Sequence, residues 1–169
     1  MKILIVSGFL GAGKTTFIKR LARNVDQRFA ILENEYGAAG IDGARLGQNR
    51  QGTQKNVWEM TEQCICCIGK KDFAASVLTI ANVADPEYLS VEPTGVGSLA
   101  RIIENLRQIE YERIQLLSPV TIVDVYSYRR YMAEYPELYQ DQIRSADTII
   151  VSKTEACQAE EKQRIQKFL

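Results

Sequence analysis

The chain has 169 residues, of which 46% are hydrophobic and 25% are charged, a composition typical of one globular domain and not of a disordered tail. Lysine plus arginine and aspartate plus glutamate both total 21, so the formal net charge is zero, and no basic surface field predicts nucleic acid or an anionic membrane as a partner. Histidine is absent, which excludes Ser-His and Cys-His catalytic pairs.

Short β-branched runs alternate with helical patterns from the N-terminus onward, which predicts an α/β fold with a mainly parallel sheet and helices on both faces. Helical patterns at residues 14–23 and 99–106 each carry apolar residues on one face, which we expect to pack on the sheet. Residues 37–53 are glycine-rich and predict a long loop, and residues 156–169 have a polar helical pattern. The predicted strands are short and mostly apolar and cover residues 2–6, 29–32, 56–60, 88–91, 120–123 and 148–151.

The apolar runs of the sequence are all short, beginning with residues 3–6. They are far below the length of the apolar region of a signal peptide or of a membrane-spanning helix. We therefore expect a soluble, cytoplasmic protein without a membrane partner.

The clearest motif follows the first predicted strand, where residues 8–15 match G-x-x-x-x-G-K-[ST] between a strand and a helix. In such a P-loop, backbone N–H groups and the helix N-terminus surround the phosphates of a nucleotide. Lys14 is predicted to neutralise the β- and γ-phosphates, and Thr15 to bind Mg²⁺. The motif therefore predicts a P-loop nucleoside triphosphatase. Its predicted phosphate-binding residues are Gly8, Gly11, Ala12, Gly13, Lys14, Thr15 and Thr16.

A second segment, residues 92–95, lies where an apolar strand meets a turn. Phosphoryl transfer needs a carboxylate near the metal and a backbone N–H at the γ-phosphate. Glu92 is predicted to hold Mg²⁺ through a water or to position the attacking water, and Gly95 to offer its N–H. Alone, a glutamate before proline at a strand end more often marks a simple turn, but the neighbouring P-loop favours the functional interpretation. With Lys14 and Thr15, these two are the predicted catalytic residues.

A third segment, residues 152–155, follows the last predicted strand and resembles the N-K-x-D guanine motif of GTPases with two substitutions. Ser152 replaces the asparagine that braces the loop, Lys153 would lie over the purine ring, and Glu155 keeps the carboxylate. That carboxylate can accept from the N1–H and amino group of guanine, whereas adenine has no donor at N1. The segment therefore predicts GTP and GDP as ligands in preference to ATP, which stays an alternative.

The three clustered cysteines, Cys64, Cys66 and Cys67, place three soft ligands within four residues. This density favours Zn²⁺ or another thiophilic ion, and three protein ligands leave a fourth position open for metal transfer. Buried small side chains and a redox pair are the alternative interpretations. Glu35 is a candidate oxygen ligand, although a solvated loop carboxylate is its commoner role. Cys157 stands apart and is predicted to be structural.

Four segments together resemble the CobW-type metal-trafficking GTPases. They are residues 8–16, residues 34–42 with Asn-Glu-Tyr-Gly and Gly-Ile-Asp, residues 64–67 with Cys-Ile-Cys-Cys, and residues 92–95 with Glu-Pro-Thr-Gly. The resemblance implies a nucleotide-binding domain of the CobW/HypB/UreG type, within the SIMIBI class of P-loop proteins. It implies GTP-dependent delivery of Zn²⁺ or a related ion from the cysteines to a metal-requiring client protein. Residues 35–42 would correspond to switch I, and residues 92–95 to switch II.

Family members usually continue through another strand and a smaller C-terminal domain, to which nothing in these residues corresponds. We therefore expect residues 1–169 to be a P-loop GTPase domain without its final strand and C-terminal domain. Such a domain exposes a sheet edge, which a homodimer would cover.

Two other functions stay open on the residues alone. An ATP-dependent kinase or ligase would use the same P-loop and keep the cysteines as structural residues. A nucleotide-gated binding module would hold zinc or dock to a client with little turnover. Hydrolysis is in any case expected to be slow, because neither switch segment contains an evident arginine finger or catalytic glutamine.

Overall fold

The computed structural model describes residues 1–34, 57–62, 70–155 and 157–168. Strands and helices mostly alternate through these ranges, as the sequence pattern predicts. In chain order the elements are β1 (Lys2–Ser7), α1 (Lys14–Asn24), β2 (Phe29–Asn34), β3 (Val57–Glu62), α2 (Lys70–Val83), β4 (Tyr88–Glu92), α3 (Leu99–Arg107), β5 (Gln115–Leu116), β6 (Val120–Asp124), α4 (Tyr128–Glu134), α5 (Pro136–Arg144), β7 (Thr148–Ser152) and α6 (Ala159–Phe168).

The strands form a parallel sheet in the order β3-β2-β4-β1-β6-β7, and the short β5 pairs with β1. Strand β1 is therefore an interior strand with β4 on one side and β6 on the other. Because the pairing is parallel, the segments that follow β1, β4, β6 and β7 emerge at one edge of the sheet. Ligands bind outside this carboxyl edge in open α/β sheets, so the topology brings three of the motif segments together.

The six strands predicted from the sequence are confirmed, and each ends one or two residues later than predicted. The added residues are mostly polar, because ladder hydrogen bonds continue beyond the apolar run that marks a strand in the sequence. Ser7, Glu92, Asp124 and Ser152 are such strand ends, and all lie at the carboxyl edge. Strand β5 was not predicted, since two residues carry no periodic pattern.

Helices cover both faces of the sheet, which confirms the predicted layers. Successive residues of β2 point to opposite faces: Phe29 and Ile31 pack in a cluster with Ile18 of α1, whereas Ala30 and Leu32 pack with α2 and α3. The apolar faces predicted for the first and third helices are buried, as Ala22 of α1 and Leu106 of α3 show. A third cluster packs Phe9 against α4, α5 and α6.

No helix in the described part of the chain is long and apolar enough to cross a membrane.

Candidate nucleotide site

The P-loop lies between the carboxyl end of β1 and the start of α1, in the context that the motif requires. Gly8 has φ 141°, and a Cβ atom there would overlap the carbonyl oxygen of Ile122 on β6, so only glycine fits. Gly13 is the N-cap of α1 with φ 100° and has no side chain to cap the helix. The first N–H groups of α1 therefore face the loop, where they can donate hydrogen bonds to a phosphate.

Three predicted residues meet at the start of α1. The Thr15 hydroxyl donates to Glu92 Oε1 at 2.9 Å, and Lys14 Nζ lies 3.9 Å from the same oxygen. Lys14 Nζ also donates to the carbonyl of Phe9 at 3.4 Å. Burial lowers the pKa of Lys14, and the nearby Glu92 carboxylate opposes that shift only in part. A buried ammonium, a hydroxyl and a carboxylate thus converge at the mouth of the P-loop.

The Thr15 hydroxyl and the Glu92 carboxylate fit Mg²⁺, which prefers hard oxygen ligands, whereas the Lys14 ammonium fits a phosphate. Thr15 Oγ1 and Glu92 Oε1 lie 2.9 Å apart, so both oxygens are available at one place. The hydrogen bond between these two atoms keeps both oxygens together at the mouth of the P-loop.

The turn after β4 packs directly on the P-loop. A Cβ atom on Gly95 would lie 2.6 Å from the backbone nitrogen of Leu10 and 3.1 Å from the carbonyl carbon of Phe9. The turn is closed by the Gly97 N–H, which donates to the Thr94 carbonyl at 2.9 Å. Gly95 therefore lies beside the loop that would bind the phosphates, as its predicted role requires.

Helix α5 holds the other side of this turn. The Gln142 amide nitrogen donates to the carbonyls of Gly95 and Gly97, both at 3.1 Å, and Asp141 accepts from the Leu99 N–H at 2.7 Å. Sequence reasoning missed both residues, because a glutamine and an aspartate in a half-polar helix have no local signal for contacts 42 to 47 residues away.

The predicted base-recognition loop is tied to the P-loop. The Ser152 hydroxyl donates to the Ala12 carbonyl at 2.6 Å, so this serine braces the two loops as the asparagine of the guanine motif would. Lys153 has φ 60° and its Nζ donates to Asp124 Oδ2 at 2.8 Å. Glu155 is exposed in the turn that follows. The arrangement leaves the carboxylate of Glu155 accessible to a ligand.

Asp124, at the carboxyl end of β6, organises this loop and was not predicted. It accepts hydrogen bonds from Lys153, from the Tyr126 N–H at 2.9 Å and from the Ser127 hydroxyl at 2.9 Å. Burial raises the pKa of Asp124, but the bonds from Lys153, Tyr126 and Ser127 together outweigh it and hold the pKa below its usual value. The sequence signal that could have indicated this role is the position of Asp124, a polar residue at the end of a β-branched strand.

Replacing Asp124 with asparagine is expected to lower the free energy of unfolding by about 2 kcal/mol at neutral pH, since a charge-assisted contact is lost and an amide N–H then faces Lys153. Because the folded-state pKa lies below the unfolded value, the carboxylate stabilises the protein above pH ~4 and this contribution disappears as pH falls through the folded pKa. Urea denaturation from pH 7 to 3 measures it. Asp147→Asn, at an exposed aspartate, is the control, and a difference between Asp124→Asn and wild type that stays constant with pH would contradict the prediction.

The predicted metal ligands Glu35, Cys64, Cys66 and Cys67 lie outside the described residues, as do residues 37–53 and Ala156. Cys157 is described: it is a partly buried free cysteine that packs against the cluster of α4, α5 and α6. This position agrees with the structural role predicted for it.

Comparison with known proteins gives one consistent result. Residues 2–169 match the family described as CobW/HypB/UreG, nucleotide-binding domain. The chain is 31% identical over 167 residues to the zinc chaperone YeiR of Escherichia coli strain K12, covering 97% of this chain and 50% of the relative. It is 27% identical over 194 residues to the zinc chaperone CobW of Pseudomonas aeruginosa, covering 98% of this chain and 52% of the relative. The chain thus spans about half the length of these curated relatives.

Solved structures show the same fold. The crystal structure of the Zn(II)-bound YjiA GTPase from E. coli superposes with a TM-score of 0.69 at 23% identity, over 98% of this chain and 53% of that one. HypB from Helicobacter pylori in complex with nickel gives a TM-score of 0.55 at 18% identity, over 98% of this chain and 73% of that one. These likenesses confirm the predicted α/β P-loop fold.

Proposed function

The chain belongs to the CobW/HypB/UreG nucleotide-binding domain family, and from that membership and the site we propose that it is a GTP-binding, slowly hydrolysing metallochaperone domain. It binds Zn²⁺ or a related thiophilic ion through Cys64, Cys66 and Cys67 and delivers it to a metal-requiring client in a nucleotide-dependent way. The observation that carries the nucleotide part is the convergence of Lys14, Thr15 and Glu92 at the P-loop. The relatives named as zinc chaperones support the metal part.

In this proposal the P-loop binds the triphosphate and Lys14 leaves the Phe9 carbonyl to contact the β- and γ-phosphates. Thr15 would hold Mg²⁺, and Glu92 would hold it directly or through a water; the ion would supply positive charge at the phosphate oxygens. Gly95 presents its N–H to the γ-phosphate from the turn beside Leu10. These interactions act mainly by positioning and by electrostatic stabilisation, which is what phosphoryl transfer requires of a protein.

In this proposal the base-recognition loop, residues 152–155, makes the site prefer guanine to adenine. Ser152 fixes the loop against the P-loop, and Asp124 holds the Lys153 ammonium so that the apolar stem of Lys153 can cover a purine. The exposed Glu155 carboxylate accepts from guanine N1–H and the amino group, whereas adenine would leave it unpaired.

In this proposal the nucleotide affects the metal site through the switch segment that begins at Glu92. The Glu92 carboxylate accepts from Thr15; in a nucleotide complex both groups would contact Mg²⁺, and the turn at residues 94–97 would move with the end of β4. Only a ligand that binds two states with different affinity shifts their balance. We therefore expect the affinity for zinc to differ between the triphosphate and diphosphate forms.

Zinc titration of the reduced protein tests the function. We expect tight binding that differs between a non-hydrolysable GTP analogue and GDP, both with Mg²⁺. The variant with Cys64, Cys66 and Cys67 replaced by alanine should lose it, because three thiolate ligands are removed. Cys157→Ala is the matched control and should bind as the wild type does.

Phosphate release with GTP and with ATP completes this experiment. Slow multiple turnover that prefers GTP supports the proposal. A preference for ATP, or zinc binding equal in both nucleotide states, would overturn it.

A further inference from the structure

Gln142 belongs to the surface helix α5, but its side chain is buried. Its side chain is 1% exposed, although α5 is otherwise largely polar. Both of its amide N–H groups are used, one on the Gly95 carbonyl and one on the Gly97 carbonyl. Burying a primary amide is costly unless its donors are satisfied, so the two bonds fix the side chain and the turn to each other.

The backbone of Gln142 is held as well. Its carbonyl accepts from the hydroxyl of Thr121, at 2.8 Å, on the buried strand β6. Gln142 is thus anchored to the sheet through its backbone carbonyl and to the turn through its side-chain amide. Such an anchor has little freedom to follow a displaced turn.

The turn itself is confined from three sides. Gly95 contacts the P-loop backbone at Leu10, and Gln142 holds its two carbonyls from the side of α5. Asp141, the residue before Gln142, accepts from the first N–H groups of α3, at Leu99 and Ala100, and so fixes the exit of the turn. Two adjacent residues of α5 therefore determine where the peptide at Gly95 lies.

We propose that Gln142 is a positioning residue, which holds the Gly95–Gly97 turn against the P-loop and thereby sets how well the domain distinguishes nucleoside triphosphate from diphosphate. The proposal rests on the proposed nucleotide function, in which Gly95 meets the γ-phosphate. A diphosphate has no group at that position, so its binding does not depend on the turn. The binding of a triphosphate does depend on the turn. If Gln142 no longer holds the turn, ordering the turn costs part of the free energy of triphosphate binding.

Gln142→Met tests this point, because methionine has a similar length and lacks both donors. We expect about tenfold weaker binding of a non-hydrolysable GTP analogue with Mg²⁺, as two hydrogen bonds no longer hold the turn. The affinity for GDP should stay within about twofold, and kcat/KM for GTP should fall with the analogue's affinity. Ile114→Val is the matched control, since it removes one buried methylene at the opposite edge of the sheet and should leave the ratio of the two affinities unchanged.

An unchanged affinity ratio in folded Gln142→Met would overturn the proposal. Amide hydrogen exchange of the wild-type protein tests it without a variant: the Gly97 N–H, which donates to the Thr94 carbonyl inside the turn, should be protected before nucleotide is added, and exchange of this N–H at the rate of an open chain would also overturn the proposal. The zinc titration is a separate readout. Failure of zinc binding would leave the affinity ratio unaffected. A wild-type protein that binds GDP and the analogue equally would overturn the contact of Gly95 with the γ-phosphate together with the role of Gln142, whereas an unchanged ratio in Gln142→Met alone would overturn only the latter.

Discussion

Replacing Lys14 with methionine is expected to reduce GTP hydrolysis by about 100-fold or more, the scale of losing one preorganised electrostatic contact to the reacting group. The ammonium is 7% exposed and is already held at the P-loop by Phe9 and Glu92. Its charge is the one that the P-loop motif places at the β- and γ-phosphates. Phosphate release at saturating GTP measures the loss. Lys19→Met, on the same helix, is the control and should retain activity.

Lys14→Met is also expected to change how the free energy of unfolding depends on pH. The folded-state pKa of Lys14 lies below its usual value because burial disfavours the ammonium more than Glu92 favours it. Between that pKa and the unfolded value near 10.5, the unfolded chain binds more protons, so the contribution of Lys14 to the free energy of unfolding rises with pH. Lys14→Met should remove this rise. An unfolding free energy whose dependence on pH is identical in the two proteins would contradict the assignment.

The nucleotide site was predictable because its chemistry is local in sequence. The P-loop depends on glycines and a lysine at fixed spacing, and Gly8 and Gly13 have the positive φ angles that the motif needs. Glu92 could be found from its place at a strand end, since parallel strands bring such ends together. The fold followed from the alternation of apolar runs with amphipathic helices.

The residues that hold these groups in place were not predictable. Gln142 and Asp124 act through contacts to segments 45 and 29 residues away along the chain, and neither has a recognisable spacing to its partners. Both are buried polar residues, and burial is a property of the assembled fold. In the sequence, a glutamine in a polar helix and an aspartate after a strand resemble solvent-exposed residues.

Gly95→Ala is expected to reduce GTP hydrolysis about 100-fold while GDP binding changes only a few-fold. A methyl group at this position would lie 2.6 Å from the backbone nitrogen of Leu10. Because neither this nitrogen nor the new Cβ atom can rotate out of the way, the turn must move away from the P-loop. The Gly95 N–H then no longer reaches the γ-phosphate. Single-turnover hydrolysis measures the loss. Val96→Ala, which removes an exposed side chain from the same turn, is the control and should hydrolyse GTP as the wild type does.

A double variant links this prediction to the role of Gln142. Gly95 and Gln142 act on opposite sides of one turn, so their effects on the affinity for a GTP analogue should not add. Once alanine has displaced the turn, the two carbonyls that Gln142 holds are no longer in place, and adding Gln142→Met should weaken analogue binding by less than the tenfold expected in the wild type. Full additivity would mean that Gln142 affects the nucleotide by another route than the position of this turn.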